Sequence, residues 1–193
     1  MSIKNPKHYN DISQIYEIIW EKLIDGMNNR NSGFHTFTLA TICNGSVSAR
    51  TVVLRECDKN NLTISFHTNN LSKKIKEIKN NSNVECLFYS EAEKIQIRIS
   101  GDAKIYNSDK VCQEIWMRMS QDSRDCYLYN KEPGTLIKDP EDISLKETTE
   151  ISKNFSFVNV TINKIEWLYL SSSGHRRVLF NKENSFKGNW VVP

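Results

Sequence analysis

Phe34-His35-Thr36-Phe37-Thr38-Leu39-Ala40-Thr41-Ile42-Cys43, then Asn44-Gly45, then Ser46-Val47-Ser48-Ala49-Arg50-Thr51-Val52-Val53-Leu54-Arg55-Glu56, is the stretch on which the fold turns. Apolar residues recur at every second position, the period of a half-buried strand. Asn-Gly readily adopts the positive φ angles of a two-residue hairpin turn. Two antiparallel strands, 34–43 and 46–56, are therefore expected. Alternation puts Ser48, Arg50, Val52 and Leu54 on one face, so Arg50 shares the side that the apolar residues bury. A buried guanidinium requires an anionic partner.

Before the hairpin, Ile12, Ile15, Tyr16, Ile19 and Leu23 recur at helical spacing behind Asp11, and Gly26 follows the last of them. The pattern predicts an amphipathic helix over 11–25, packed on a sheet. After the hairpin, the turn at Asp58 to Asn61 leads into a strand at 61–68. Further strands are expected near 83–90 and 94–106, the second with Ile95, Ile97 and Ile99 on one face and Gln96, Arg98 and Ser100 on the other. Val111, Ile115, Trp116 and Met119 suit a helix at 109–120.

Residues 121–153 hold Pro133-Gly134, Pro140 and many charges without periodicity, and read as a long mobile connection. Strands return with Phe155, Phe157, Val158 and Val160, then Ile165, Trp167 and Tyr169, then His175 to Phe180 after the Ser173-Gly174 turn. Six or more strands in hairpin order with few helices predict one mainly β (α+β) domain over 1–193, an antiparallel barrel with peripheral helices. No G-x-G-x-x-G opens a helix after a strand, so a Rossmann nucleotide site has no support.

A second basic element follows the 61–68 strand. Ser72 stands where it can cap a helix whose first turn carries Lys73 and Lys74. Cations oppose the helix dipole there unless an anion sits beside them, and a helix N-terminus is a natural phosphate site. Arg50, Ser72 and Lys74 together read as a phosphate cradle. Lys76 and Lys79 read instead as the solvated face of a helix that buries Leu71, Ile75 and Ile78.

The chain of 193 residues, 38% hydrophobic and 10% aromatic, has the make-up of a folded globule. A net charge of +3, from 26 basic and 23 acidic residues, is too even to argue for nucleic acid or an anionic membrane as partner. Five cysteines with no C-x-x-C pair suit a reducing compartment. The four histidines lack ligand spacing, so no metal site is expected. The polar start and the lack of a spanning segment suggest a cytoplasmic protein.

Arg50 to Arg55, His67-Thr68, Ser72-Lys73-Lys74, Gln96, Ile165-Glu166 and His175-Arg176-Arg177 stand in an order that resembles the pyridoxamine 5′-phosphate oxidase-like family. The resemblance covers about residues 34–181. It implies an FMN-binding split barrel. It also implies that Arg50, Ser72, Lys73 and Lys74 hold the FMN phosphate, that the backbone of Thr51, Val52, Val53 and Leu54 runs beside the flavin ring, and that Thr68 touches the cofactor. Two flavins at the interface of a homodimer are implied too, with Gln96 reaching across from the partner subunit.

Arg176 or Arg177 would lie near the ring or the substrate, with Arg177 assigned to the flavin and His175 and Arg176 to the substrate. Arg55 faces away from Arg50 on an ideal strand, yet the resemblance implies that it is the substrate-side cation. His67 is either an imidazole near the flavin or a partly buried strand residue. Gln96 on its own could be an exposed strand residue, and His175-Arg176-Arg177 a solvated hairpin.

The substrate half departs from the family. The Tyr-x-x-x-Arg-x-x-x-Ser helix that grips a substrate phosphate in the oxidases reads Trp116, Ser120 and Arg124 here. Leu168 stands where a tryptophan follows Ile-Glu-aromatic, and the late Arg-x-His motif is replaced. These changes argue against pyridoxamine phosphate. The resulting expectation is an FMN-dependent oxidoreductase acting on an unidentified small substrate or a reduced nicotinamide. The alternative is a non-catalytic FMN or haem binder, with His67 and His175 as the candidate axial ligands.

Overall fold

The computed structural model describes residues 6–145 and 151–193. Helix α1 (Ile12–Asn28) starts at Asp11, whose carboxylate accepts from the Ser13 and Gln14 N–H groups at 2.9 and 3.2 Å. It buries Ile15, Ile19, Trp20 and Leu23. Gly26 does not end this helix as expected. It lies inside it, where a Cβ would stand 2.3 Å from the Phe34 carbonyl oxygen, so its lack of a side chain serves close packing rather than termination.

Strands β1 (Thr36–Cys43) and β2 (Ser46–Val53) pair in register from Thr36↔Val53 to Cys43↔Ser46. Asn44 and Gly45 take φ of 50° and 78°, the two positive angles of a type I′ turn. The predicted 46–56 strand breaks after Val53, because the Leu54 and Arg55 N–H groups bond to His35 and Ser65 instead. The chain then re-enters the sheet as β3 (Glu56–Asp58) against β4 (Thr63–Asn69).

Helix α2 (Lys73–Asn80), β5 (Asn83–Ser90), β6 (Ile95–Tyr106) and α3 (Lys110–Arg118) follow near their predicted bounds. In α3 the buried residues are Cys112 and Trp116, and Val111 is exposed. The stretch expected to be a long mobile connection, 121–153, carries a short helix, α4 (Gln121–Asp125), and an antiparallel bridge between Tyr129 and Leu145. Residues 146–150 lie outside the described residues.

Strand β7 (Phe155–Tyr169) is one long strand where two runs were expected. Its first half pairs with β4 and its second with β8 (Arg176–Asn181), while β6 runs along its other edge. A final β9 (Asn189–Trp190) pairs with β8. The strand path β2-β1-β5-β6-β7-β4-β3 is antiparallel throughout and is not closed. It wraps a core that includes Phe37, Leu39, Phe66, Phe88, Ile97 and Trp167. A second cluster of Cys112, Trp116, Tyr127, Leu128, Phe155 and Phe157 packs around the start of β7. Among the described residues no helix is long and apolar enough to cross a membrane.

Candidate functional site

The inward face of β2 carries Arg50 to the start of α2. Its Nη1 donates to the Thr41 hydroxyl (2.5 Å) and the Leu39 carbonyl (3.3 Å), and its Nη2 to the Ser48 hydroxyl (2.7 Å) and Glu77 Oε2 (2.6 Å). Glu77 is almost fully buried and also accepts from Thr41 Oγ1 at 2.6 Å. Burial pushes its carboxyl up, but the hydrogen bonds from Thr41 and Arg50 and the charges of Arg50 and Lys73 outweigh this and hold it below the usual range. The anionic partner that Arg50 requires is thus supplied by the protein. Glu77 went unread in the sequence as a lone acid among Lys73, Lys74, Lys76 and Lys79.

Ser72 does not cap α2 with its side chain, contrary to expectation. Its hydroxyl instead lies 3.3 Å from that of Thr68 on the buried face of β4, and Lys74 Nζ donates to Thr68 Oγ1 at 3.0 Å. The Lys74 ammonium is held below its ordinary pKa by burial and by Arg50, with Glu77 acting the other way. Lys73 is exposed, its Nζ 3.9 Å from Glu77 Oε1. Three cations, two hydroxyls and a helix start without a side-chain cap therefore meet against one carboxylate. Both the charge excess and the donor set fit a phosphate dianion. Lys76 and Lys79 point to solvent, as expected of a solvated face.

Thr51 is exposed, Val53 half-buried, and Val52 and Leu54 are buried. β2 ends the strand path, which leaves one row of its backbone groups open to a ligand. His67 faces away from Thr68, its ring edge-on to Phe155 (5.1 Å) and near Phe157 (6.1 Å). Burial first, and the Arg55 charge second, push its pKa down to about 4. Arg55 also bears on Tyr127, opposing the burial that raises that phenol to about 12. Arg55, His67 and Tyr127 thus share a neighbourhood on the side of the second cluster. Tyr127 was hidden in sequence by the aperiodic stretch around it.

Gln96, half-buried, lies opposite Leu168, and Leu168 lies opposite Arg177, so the three form one row across β6, β7 and β8. Ile95 and Ile97 flank Gln96 on the buried face. The Gln96 row therefore occupies the opposite face of the sheet from Arg50, and one chain does not bring the two sets together. Arg177 Nη2 donates to Glu166 Oε2 at 2.8 Å and Nη1 to the Val192 carbonyl at 3.3 Å. Arg176 turns away and donates to Asn10 Oδ1 at 2.9 Å. His175 is exposed and accepts from the Ser171 N–H at 3.0 Å.

The substrate-phosphate register is spent inside the protein. Trp116 is buried, Ser120 Oγ donates to Ser123 Oγ (3.0 Å), and Arg124 donates to the Trp116 and Met117 carbonyls at 2.9 Å each. Among the described residues, no cluster of histidine, cysteine and acidic side chains could hold a metal.

The class the fold defines is an open antiparallel split barrel, with a basic cluster at the start of one helix. Residues 17–107 match the family "Pyridoxamine 5′-phosphate oxidase, FMN-binding domain". A pyridoxine/pyridoxamine 5′-phosphate oxidase of Psychrobacter cryohalolentis is 27% identical over 183 residues, covering 82% of this chain and 79% of that one.

Among solved structures, a pyridoxamine 5′-phosphate oxidase-related, FMN-binding protein of Nostoc punctiforme superimposes with TM-score 0.75 at 22% identity, over 92% of this chain and 96% of that one. PhzG of Burkholderia lata, solved with tetrahydrophenazine-1-carboxylic acid, gives TM-score 0.75 at 19% identity over 100% and 99%. Residues 17–107 are thus similar to that family, and the open antiparallel sheet has the split-barrel fold of these neighbours.

Proposed function

We propose that this protein is an FMN-dependent oxidoreductase that works as a homodimer. The observation that carries the reading is the meeting of Arg50, Lys74, Thr68 and Ser72 at the start of α2, a cationic cradle in a chain that is otherwise nearly balanced in charge. FMN, when bound, supplies hydride acceptance from a small substrate or a reduced nicotinamide. The protein's part is to hold the phosphate through Arg50, Ser72, Lys73 and Lys74, and to set the ring along the open edge of β2. Gln96 and Arg177 would be supplied by the partner subunit, because they face the other way within one chain. A cation such as Arg177 near the ring favours negative charge there.

Arg55 beside His67 and Tyr127 is the substrate-facing group. His67 is neutral at ordinary pH and offers a polar edge within an aromatic wall. Because Arg124 is tied to two carbonyls and Trp116 is packed in the core, a phosphate monoester would find no grip there, and a non-phosphorylated substrate suits this side better. A haem reading has less support, since His67 is walled by phenylalanines and His175 is bonded to its own turn.

Absorbance and fluorescence titration of the purified protein with FMN test the cofactor assignment. The expected result is a quenched flavin signal and a raised melting temperature. Arg50→Ala and Lys74→Ala should weaken affinity about 10- to 100-fold, and Lys79→Ala less than about twofold. Equal affinity for Arg50→Ala, Lys74→Ala and the unaltered protein would overturn the cradle.

A further inference from the structure

We infer that Glu77 acts as an internal counter-anion for Arg50, occupying the guanidinium that the FMN phosphate needs and so setting how tightly the phosphate is held. The inference rests on the FMN reading above and adds a residue that tunes it.

Both terminal nitrogens of Arg50 are fully engaged within the protein. Nη1 has Thr41 and Leu39 as acceptors, and Nη2 has Ser48 and Glu77. A guanidinium so committed has no Nη hydrogen to give without losing a bond it already makes. Of those four acceptors only Glu77 carries charge, and it is also the one that a second anion would oppose.

The Glu77 carboxylate is held from several sides. Thr41 donates its hydroxyl to Oε2 and accepts from Arg50 at the same oxygen, which ties the pair into a triangle spanning β1, β2 and α2. Among the described residues Oε1 is buried without a hydrogen-bond partner, and the ammonium of Lys73 lies 3.9 Å from it. A buried carboxylate oxygen left this way is costly, so helix α2 keeps Glu77 in place at a cost that the Arg50 pair and the Thr41 hydroxyl offset. The acid thus offsets one of the cradle's positive charges when the phosphate is away and repels the phosphate when it arrives.

Removing the charge while keeping the shape should act in one direction. In Glu77→Gln the side-chain carbonyl would still accept from Arg50 and Thr41, but the cradle would be one positive charge richer. FMN and inorganic phosphate should then bind more tightly, while riboflavin, which lacks the phosphate, should not respond.

The experiment compares dissociation constants for FMN and riboflavin, by flavin fluorescence, in the full-length protein and in Glu77→Gln. Circular dichroism and the melt of the unliganded variant establish folding first. The expected result is about tenfold tighter FMN binding in Glu77→Gln, with riboflavin changed by less than about twofold. FMN binding by Glu77→Gln alone, with none by the unaltered protein, also supports the inference.

FMN binding that is equal or weaker in the variant, with the unaltered protein still binding FMN, overturns the counter-anion role and leaves the FMN reading intact. So does an equal gain for riboflavin. FMN bound by neither protein overturns both. Should Glu77→Gln fail to fold, Thr41→Val takes its place. It removes the hydroxyl shared by the pair without changing charge, and it should tighten FMN binding by about threefold. An unchanged or weaker constant overturns the inference.

Discussion

His67 shows how one side chain turns its surroundings into a pH response. Its ring is largely shielded among Phe155 and Phe157 beside Arg55, which holds its pKa near 4 against an ordinary 6.5. The folded protein therefore binds fewer protons at this ring than the unfolded chain does, and stability rises with pH wherever the two differ. The contribution is fully present above about pH 6.5, falls away between 6.5 and 4, and is gone below. The shift bounds the loss at about 3 kcal/mol, and solvent at the ring edge reduces it. Urea melts from pH 7 to pH 4 should show this slope, and His67→Phe should flatten it. A variant with the same slope as the unaltered protein would show that carboxylates, not His67, set the acid limit.

Elements were legible wherever a local pattern settled them. The Asn44-Gly45 hairpin, the alternation of β5 and the N-cap of α1 are encoded by neighbours in sequence, and they appear where the spacing places them. What failed to show was set by partners far along the chain. Asn163 and Lys164 look like a break in β7, but β6 pairs with Ile162 and with Lys164, on either side of Asn163, and keeps the strand continuous. Ser72 looks like a cap until Thr68 and Lys74 draw its surroundings into the cradle. Arg50 announced a need for an anion, while the acid that meets it sits 27 residues later on a lysine-rich helix.

Gly101 is a tertiary demand of the same kind. It sits at the register shift of β6 against β7, and a Cβ there would lie 2.3 Å from the Thr161 carbonyl oxygen and 2.8 Å from Val160 Cγ1. Backbone cannot yield as a flexible side chain can. Gly101→Ala should therefore cost about 2–3 kcal/mol in urea denaturation. Gly45→Ala, with open space around it but a φ of 78°, should cost about 1 kcal/mol from backbone strain alone. Equal costs at the two sites would mean that β6 shifts easily relative to β7.

At the scale of the whole molecule, the two halves of the candidate site lie on opposite faces of one sheet, and the proposed dimer is what would unite them. Arg50 is on the face that wraps the core, whereas Gln96 and Arg177 are on the outer face. That outer face also exposes Ile42, Val47, Leu87 and Tyr89, and a mostly apolar hollow of about 360 Å³ lies between Ile42, Val47 and Ser100. Exposed apolar side chains on one face favour association, and a two-fold axis through that face would make one surface serve both copies. Assembly and flavin affinity should then be linked, because each flavin would take groups from both chains. Light scattering should give twice the 22.4 kDa chain mass. Leu87→Glu, on the outer face of β5, should shift the protein to monomer and weaken FMN binding more than about tenfold at the same time, with the melt of the unliganded chain little changed. A monomeric variant that keeps the affinity of the unaltered protein would mean that the cradle holds its ligand alone, and that Gln96 and Arg177 have no part in it.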